Sequence, residues 1–287
     1  MLRKENRRLR QLKKMPVLTD YFNKNAERLK NKKLFLLDMD GTVYNGNVIF
    51  PYTLKFLDDV VSIGAKYVFV TNNSSKSVFD YVKKVTKMGI KADEGNFYTS
   101  SMASIVFLKE KFGNSLIYAE GTQSFTEELI KGGLNVTTDY APDAKAIILG
   151  FDTELTFEKL STTSKMLCTT SAEYYATHPD YVCPVEYGFV PDLGSVCFGL
   201  YKASGKKPCV IGKPEPAMLE TAVKKFGVKK EEAVVIGDRL NTDIASGFNA
   251  GIDSICVLSG EATIDDVLKC DKKPDFVFEN LSEIILK

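Results

Sequence analysis

The chain has 287 residues, 44% of them hydrophobic and 26% charged, with a formal net charge of +1. That length suits about two domains, each burying its own core, and the composition excludes collagen-like, low-complexity and disordered classes. No run approaches the ~20 apolar residues that cross a bilayer, so no membrane partner is expected, and the basic start from Met1 to Lys14 lacks the apolar stretch of a secretory signal, which points to a cytoplasmic chain.

The six cysteines (Cys168, Cys183, Cys197, Cys209, Cys256 and Cys270) form no C-x-x-C pair and match neither a zinc knuckle nor a disulfide scaffold. They read as reduced, mostly buried thiols. His178 is the only histidine, so a His-cluster metal centre is excluded and a Ser–His or Cys–His pair has one possible base. Chemistry has to rest mainly on carboxylates and lysines. Residues 1–33 hold twelve Lys/Arg against three Asp/Glu, a basic arm on an acidic body. Such an arm can mark nucleic-acid or membrane contact. Here the acidic body and the lack of a nucleic-acid motif argue against nucleic acid, and residues 1–32 read as a solvated helix or frayed extension.

Along the chain, short apolar runs ending in Asp, Asn or Gly alternate with helical patterns, as a parallel α/β sheet requires. The first, Leu34–Leu37, runs into Asp38-Met39-Asp40-Gly41-Thr42-Val43. Ligands of open α/β sheets sit beyond the carboxyl ends of strands, and residues two apart leave a strand on the same side. Asp38 and Asp40 are therefore expected to converge, while Gly41 permits a sharp turn that frees backbone N–H groups for an anion. A strand ending in an ordinary Asp-Gly turn, a common arrangement, is the competing explanation of the motif in isolation. The next run, Tyr67–Val70, ends in Thr71-Asn72-Asn73-Ser74, a hydroxyl and amides suited to phosphate oxygens at the start of a helix; Val78, Val82 and Val85 mark that helix's apolar face.

From about Gly95 to Glu186 the pattern restarts as a second α/β unit, with strands at Leu116–Tyr118, Ala146–Leu149 and Glu173–Ala176 and a capping-box pattern at Ser124-x-x-Glu127. The first unit is thus expected to be discontinuous, 33–94 and 187–287, around an insertion at 95–186. It resumes with Val210-Ile211-Gly212-Lys213-Pro214-Glu215-Pro216, which brings a lysine to the entrance of a helix that starts at Pro216 and stops at Gly227, its buried face marked by Leu219, Ala222, Val223 and Phe226. The run Val234–Ile236 leads into Gly237-Asp238-Arg239-Leu240-Asn241-Thr242-Asp243, two more acids at a strand tip. Ser254–Leu258 and Phe276–Phe278 complete the expected core strands.

In this order the four strand tips resemble the haloacid dehalogenase superfamily of phosphohydrolases, in its NagD-like, p-nitrophenyl phosphatase branch. The resemblance runs from about Lys33 to the C-terminus on Asp38-Met39-Asp40-Gly41-Thr42, Thr71-Asn72-Asn73-Ser74-Ser75, Gly212-Lys213-Pro214-Glu215-Pro216 and Gly237 to Asp243. It implies a Rossmann-like core with an α/β cap inserted between the second and third motifs, where the extra unit lies, and a dimer paired through that cap. It also implies a small phosphorylated substrate of nucleotide, sugar phosphate or phosphoglycolate type. Asp38 would be the nucleophile and form an aspartyl-phosphate, Asp40 the acid and then the base, and Gly41, Thr71, Asn72, Asn73 and Lys213 the phosphate cradle. Asp38, Asp238 and Asp243 against Lys213 alone, with a phosphate dianion added, leave four uncompensated negative charges, a pocket that calls for Mg²⁺. By resemblance its ligands are Asp38, the Asp40 backbone carbonyl and Asp238, with Asp243 in support. The segment Ala176-Thr177-His178-Pro179-Asp180 looks like the family's cap loop, where Asn is more usual than His178. Here His178 reads equally as a surface histidine or a substrate contact, and Asp180 as a candidate contact. Two rival readings are a phosphotransferase or phosphomutase and a catalytically idle binding protein on the same fold.

Overall fold

The structure, a computed structural model, describes residues 17–287 apart from residue 186. In chain order its elements are β1 (Leu34–Leu37), a small hairpin of β2 (Tyr44–Asn45) and β3 (Val48–Ile49), α1 (Thr53–Ser62), β4 (Lys66–Thr71), α2 (Val78–Lys87), β5 (Phe97–Thr99) and α3 (Ser100–Phe112). There follow β6 (Leu116–Glu120), α4 (Gln123–Lys131), β7 (Asn135–Thr137), β8 (Ala146–Leu149), α5 (Phe157–Thr169), β9 (Glu173–Ala176), the hairpin β10 (Val182–Val185) and β11 (Gly188–Pro191), and α6 (Leu193–Ser204). The chain closes with β12 (Cys209–Val210), α7 (Pro216–Phe226), β13 (Ala233–Gly237), a π-turn at Leu240–Ile244, α8 (Ala245–Ala250), β14 (Asp253–Val257), α9 (Ile264–Lys269) and β15 (Phe276–Phe278).

Two parallel sheets organise these elements. The first has the order β15-β14-β13-β1-β4-β5, which puts β1 and its Asp-x-Asp at the centre between β13 and β4. All four residues of β1 are buried, as a strand covered on both faces must be: Phe35 and Leu37 pack with Phe56 and Phe69, whereas Leu34 and Leu36 pack with Leu219 and Val235. The second sheet has the order β12-β9-β8-β6-β7. Its strand tips meet those of the first: Ser74 Oγ lies 3.0 Å from Thr177 Oγ1 and accepts the Phe151 N–H at 2.8 Å, while the Thr122 hydroxyl donates to the Ser75 carbonyl at 3.2 Å. The α/β fold read from the sequence is therefore present.

The insertion does not coincide with residues 95–186. Within that span β5 pairs with β4 in the first sheet, and beyond it β12 pairs with β9 in the second, where Leu193, Cys197 and Leu200 of α6 also pack. Strands of three and two residues are too short to show a period. The capping box at Ser124 is likewise absent, because Thr122 is the N-cap and accepts from Phe125 N at 3.1 Å, leaving an aromatic residue where the reciprocal acceptor would stand. Pro216 and Gly227 bound α7 as expected, with Gly227 in the left-handed region.

Residues 17–32 are not a frayed tail. Leu18, Ala26 and Leu29 are buried in the first core, Arg28 and Lys32 bind Asp253 at 2.7 and 2.9 Å, and Asp20 accepts the Val277 N–H at 3.2 Å. The rest of the basic arm, residues 1–16, lies outside the described residues. Nor are the thiols mostly buried: only Cys197 and Cys256 are.

Glu120 ends β6 with 3% of its surface exposed and no hydrogen bond to either carboxylate oxygen among the described residues. Burial, reinforced by Asp152 and opposed by Lys159, pushes its carboxyl up to about 8. A folded-state value above the unfolded one means that stability is complete below pH 4.5 and falls as pH rises through 8. Replacing Glu120 by Gln is expected to raise the melting temperature more at pH 9 than at pH 5, by a difference of roughly 3 kcal/mol, or on the order of 5–10 °C. Equal shifts at the two pH values would contradict a neutral Glu120.

Candidate active site

The site is assembled from strand tips. Beyond β1, Met39 turns into the core while Asp38 and Asp40 face a cleft also lined by Thr71, Asn72, Asn73, His178, Asp180 and Lys213. Gly41 follows with φ of +86°, and a Cβ there would stand 2.3 Å from Asp238 Oδ2, so this position requires glycine on backbone and packing grounds alike. At Gly237 packing alone excludes a side chain, since an added Cβ would lie 2.3 Å from Asp243 Cγ. The π-turn after β13 brings Asp243 back to accept the Arg239 N–H at 3.2 Å. Asp238 accepts from the Thr42 hydroxyl at 3.3 Å and from Glu261 N at 2.8 Å.

Lys213 holds the centre. It is 2% exposed, and its ammonium donates to Asp38 Oδ1 and Asp243 Oδ1, both at 2.6 Å, and to the Val70 carbonyl at 3.1 Å. All three donors are thereby used. Burial disfavours the charge, but Asp243 and Asp38 outweigh it and hold the lysine above its ordinary pKa. Asn72 fixes the same residue from behind: its side-chain amide donates to the Lys213 carbonyl at 2.8 Å and accepts the Lys213 N–H at 2.9 Å. The amide that the sequence suggested for phosphate is committed to positioning the lysine. Asn73 is similarly occupied, accepting from Ser75 N and Oγ, while its own N–H donates to Thr71 Oγ1 at 3.2 Å.

Burial also raises the carboxyls of Asp238 and Asp243, with the Asp38 charge adding to both; Glu261 N–H opposes the rise at Asp238, and Lys213 opposes it at Asp243. Three acids thus face one ammonium, with ligand atoms all within 4.8 Å of one another. An all-oxygen set of this kind suits a hard divalent cation. Asp243 is fully buried with one oxygen held by the Lys213 ammonium and the other by the Arg239 N–H, whereas Asp238 accepts only from a hydroxyl and a backbone N–H, which makes Asp38 and Asp238 the better direct ligands and Asp243 a support.

From the second unit, His178 and Asp180 enter the cleft, and His178 is no surface residue: 1% exposed, its ring nitrogens lie 3.5 Å from Asp180 Oδ2 and 3.6 Å from Asp192 Oδ1, with Phe151 edge-on. Asp180 accepts from Asn72 Nδ2 at 3.2 Å and so ties the second unit to the first. Sequence reasoning missed Lys76, Lys84, Tyr44, Tyr81, Cys183, Asp192 and Arg239, which also line the cleft. Arg239 stood inside a quoted motif and was findable; the hairpin carrying Cys183 has no pattern that foretells its position over the cleft.

A family model described as haloacid dehalogenase-like hydrolase matches residues 35–135, and a HAD-hydrolase-like model matches 210–284. The chain is 32% identical over 257 residues to the acid sugar phosphatase of Staphylococcus aureus, covering 90% of this chain and 98% of that protein. The solved 4-nitrophenylphosphatase of Thermotoga maritima is 38% identical with a TM-score of 0.85, over 91% of this chain and 98% of that one. A glycerol phosphate phosphatase of Mycobacterium tuberculosis, solved in complex with magnesium, is 25% identical with a TM-score of 0.83, over 89% and 77% of the two chains.

If the carboxylates bind a divalent cation, adding Mg²⁺ or Ca²⁺ will raise the melting temperature of the native chain. Asp238→Asn is expected to weaken that binding by about tenfold or more, read by calorimetric titration. An unchanged affinity would remove Asp238 from the ligand set.

Proposed function

This chain belongs to the haloacid dehalogenase-like hydrolases, in their NagD-like branch, and is a phosphatase; from that premise we propose that it hydrolyses small phosphorylated metabolites through an aspartyl-phosphate on Asp38. The observation that carries the reading is the Lys213 ammonium held between Asp38 and Asp243 at 2.6 Å. It keeps one Asp38 oxygen engaged and leaves the other without a protein donor among the described residues, free to attack phosphorus.

In the first step a bond forms from the Asp38 oxygen to phosphorus as the ester P–O bond breaks, and Asp40 gives its proton to the departing alkoxide. In the second, the Asp40 carboxylate takes a proton from water as the water oxygen attacks phosphorus and the bond to Asp38 breaks, releasing inorganic phosphate. The Thr71 hydroxyl binds the transferring phosphoryl group, the Lys213 ammonium contributes its charge from beside Asp38, and Asn72 keeps Lys213 in register. Mg²⁺, held by Asp38, Asp238 and the Asp40 carbonyl with Asp243 behind, would supply positive charge to a pocket short of it.

The unit built on the second sheet acts as a cap that selects the alcohol, through His178 and Asp180. Phe157, Tyr187 and Phe189 of this unit are 84%, 83% and 68% exposed, an apolar surface that supports a homodimer paired through the cap. The free thiols accord with a cytoplasmic setting.

With p-nitrophenyl phosphate, phosphate release is expected to require Mg²⁺, to fall on the order of 10³-fold or more in Asp38→Asn, and to fall 10²–10⁴-fold, roughly, in Asp40→Asn. Metal-independent release, or full activity in Asp38→Asn, would defeat the mechanism. In sedimentation, the native chain should run as a dimer and the double substitution Phe157→Glu, Phe189→Glu as a monomer; a native monomer would count against cap pairing.

A further inference from the structure

The walls of the cleft differ in charge. The cap side presents Asp180 and Asp192, which offer acceptors to hydroxyl groups, whereas the side at and before α2 presents Lys76 and Lys84. The other two cations of the cleft are already held by carboxylates, Lys213 as described and Arg239 by Glu261 at 3.0 Å. Neither Lys76 nor Lys84 has a carboxylate partner among the described residues.

Lys84 is half-buried, with Nζ 4.0 Å from the ring centroid of the buried Tyr44. Taking an ammonium partly out of water without an anion is costly, and burial accordingly lowers the Lys84 pKa, with Asp40 opposing and Lys76 reinforcing. Lys84, Lys76 and Asp40 line the same cleft. Asp40 is the group that protonates the leaving alcohol, while the transferring phosphoryl group is held at Lys213. A cation pair in the cleft that Asp40 lines is available to the alcohol portion of the substrate.

We propose that Lys76 and Lys84 form a second anion subsite, so that the preferred substrates are phosphomonoesters whose alcohol carries its own carboxylate or second phosphate. This rests on the phosphatase reading above. The acidic cap wall excludes that anion from the opposite side and favours hydroxyl groups there.

The test compares kcat/KM for matched substrates: phosphoglycerate against glycerol phosphate, and glucose bisphosphate against glucose phosphate. The native enzyme should prefer the more anionic member of at least one pair by about tenfold or more, a difference of about 1.4 kcal/mol. A preference in the first pair identifies a carboxylate, and one in the second a phosphate. In the double substitution Lys76→Met, Lys84→Met the ratio should collapse towards one, mainly through KM, and Lys84→Arg should retain it. Ratios near one in both pairs for the native enzyme, or equal losses on both members in the variant, would overturn the subsite while turnover of p-nitrophenyl phosphate persists. Absence of that turnover would instead sink the phosphatase reading and the subsite with it.

Discussion

The buried contact of one ammonium with two carboxylates organises this molecule. Lys213, Asp38 and Asp243 come from three distant stretches of chain, and each would be costly to bury alone. A buried ion pair is poor evidence for stability in itself, but removing one partner strands the others at roughly 3–5 kcal/mol. The cluster therefore constrains the fold: β1 must lie beside β13 for Asp38 and Asp243 to meet, the segment after β12 must reach over from the second sheet to set Lys213 between them, Gly237 must leave room for Asp243, and Gly41 must leave room for Asp238. The surplus of negative charge that results is the chemical reason the site suits a cation and a phosphate together.

The second unit does more than cover the cleft. Asp180 bonds to Asn72, and Asn72 in turn holds the main chain of Lys213. A displacement of the loop that bears His178 and Asp180 is thus coupled through one amide to the lysine that binds Asp38. Contact between Ser74 and the tips of β8 and β9 reinforces the same joint. The loop of the second unit and the carboxylate cluster of the first are in this way connected.

Much of this was legible in the sequence for a physical reason. Doubly covered strands such as Leu34–Leu37 and Phe276–Phe278 must be continuously apolar, and acids directly after such runs have few places to go except the sheet's carboxyl edge. What escaped notice depends on long-range pairing. The two residues of β12 show no period, so the second sheet's full extent was hidden; the side chain of Asn72 found its partners 141 residues away. Lys76 and Lys84 look like ordinary solvated lysines until the fold puts both in the cleft with Asp40 and sets Lys84 over Tyr44. His178, alone in the sequence, carried no sign of burial.

The central claim is that Asp38 becomes covalently phosphorylated. Acid-quenching the enzyme during turnover, followed by mass spectrometry of its peptides, tests this directly. The account predicts one added phosphoryl group on the peptide bearing Asp38, absent from Asp38→Asn and accumulating when the Asp40 base is removed. A phosphoryl group on another residue, or no covalent species while the enzyme is turning over under conditions that preserve acyl-phosphates, would contradict it.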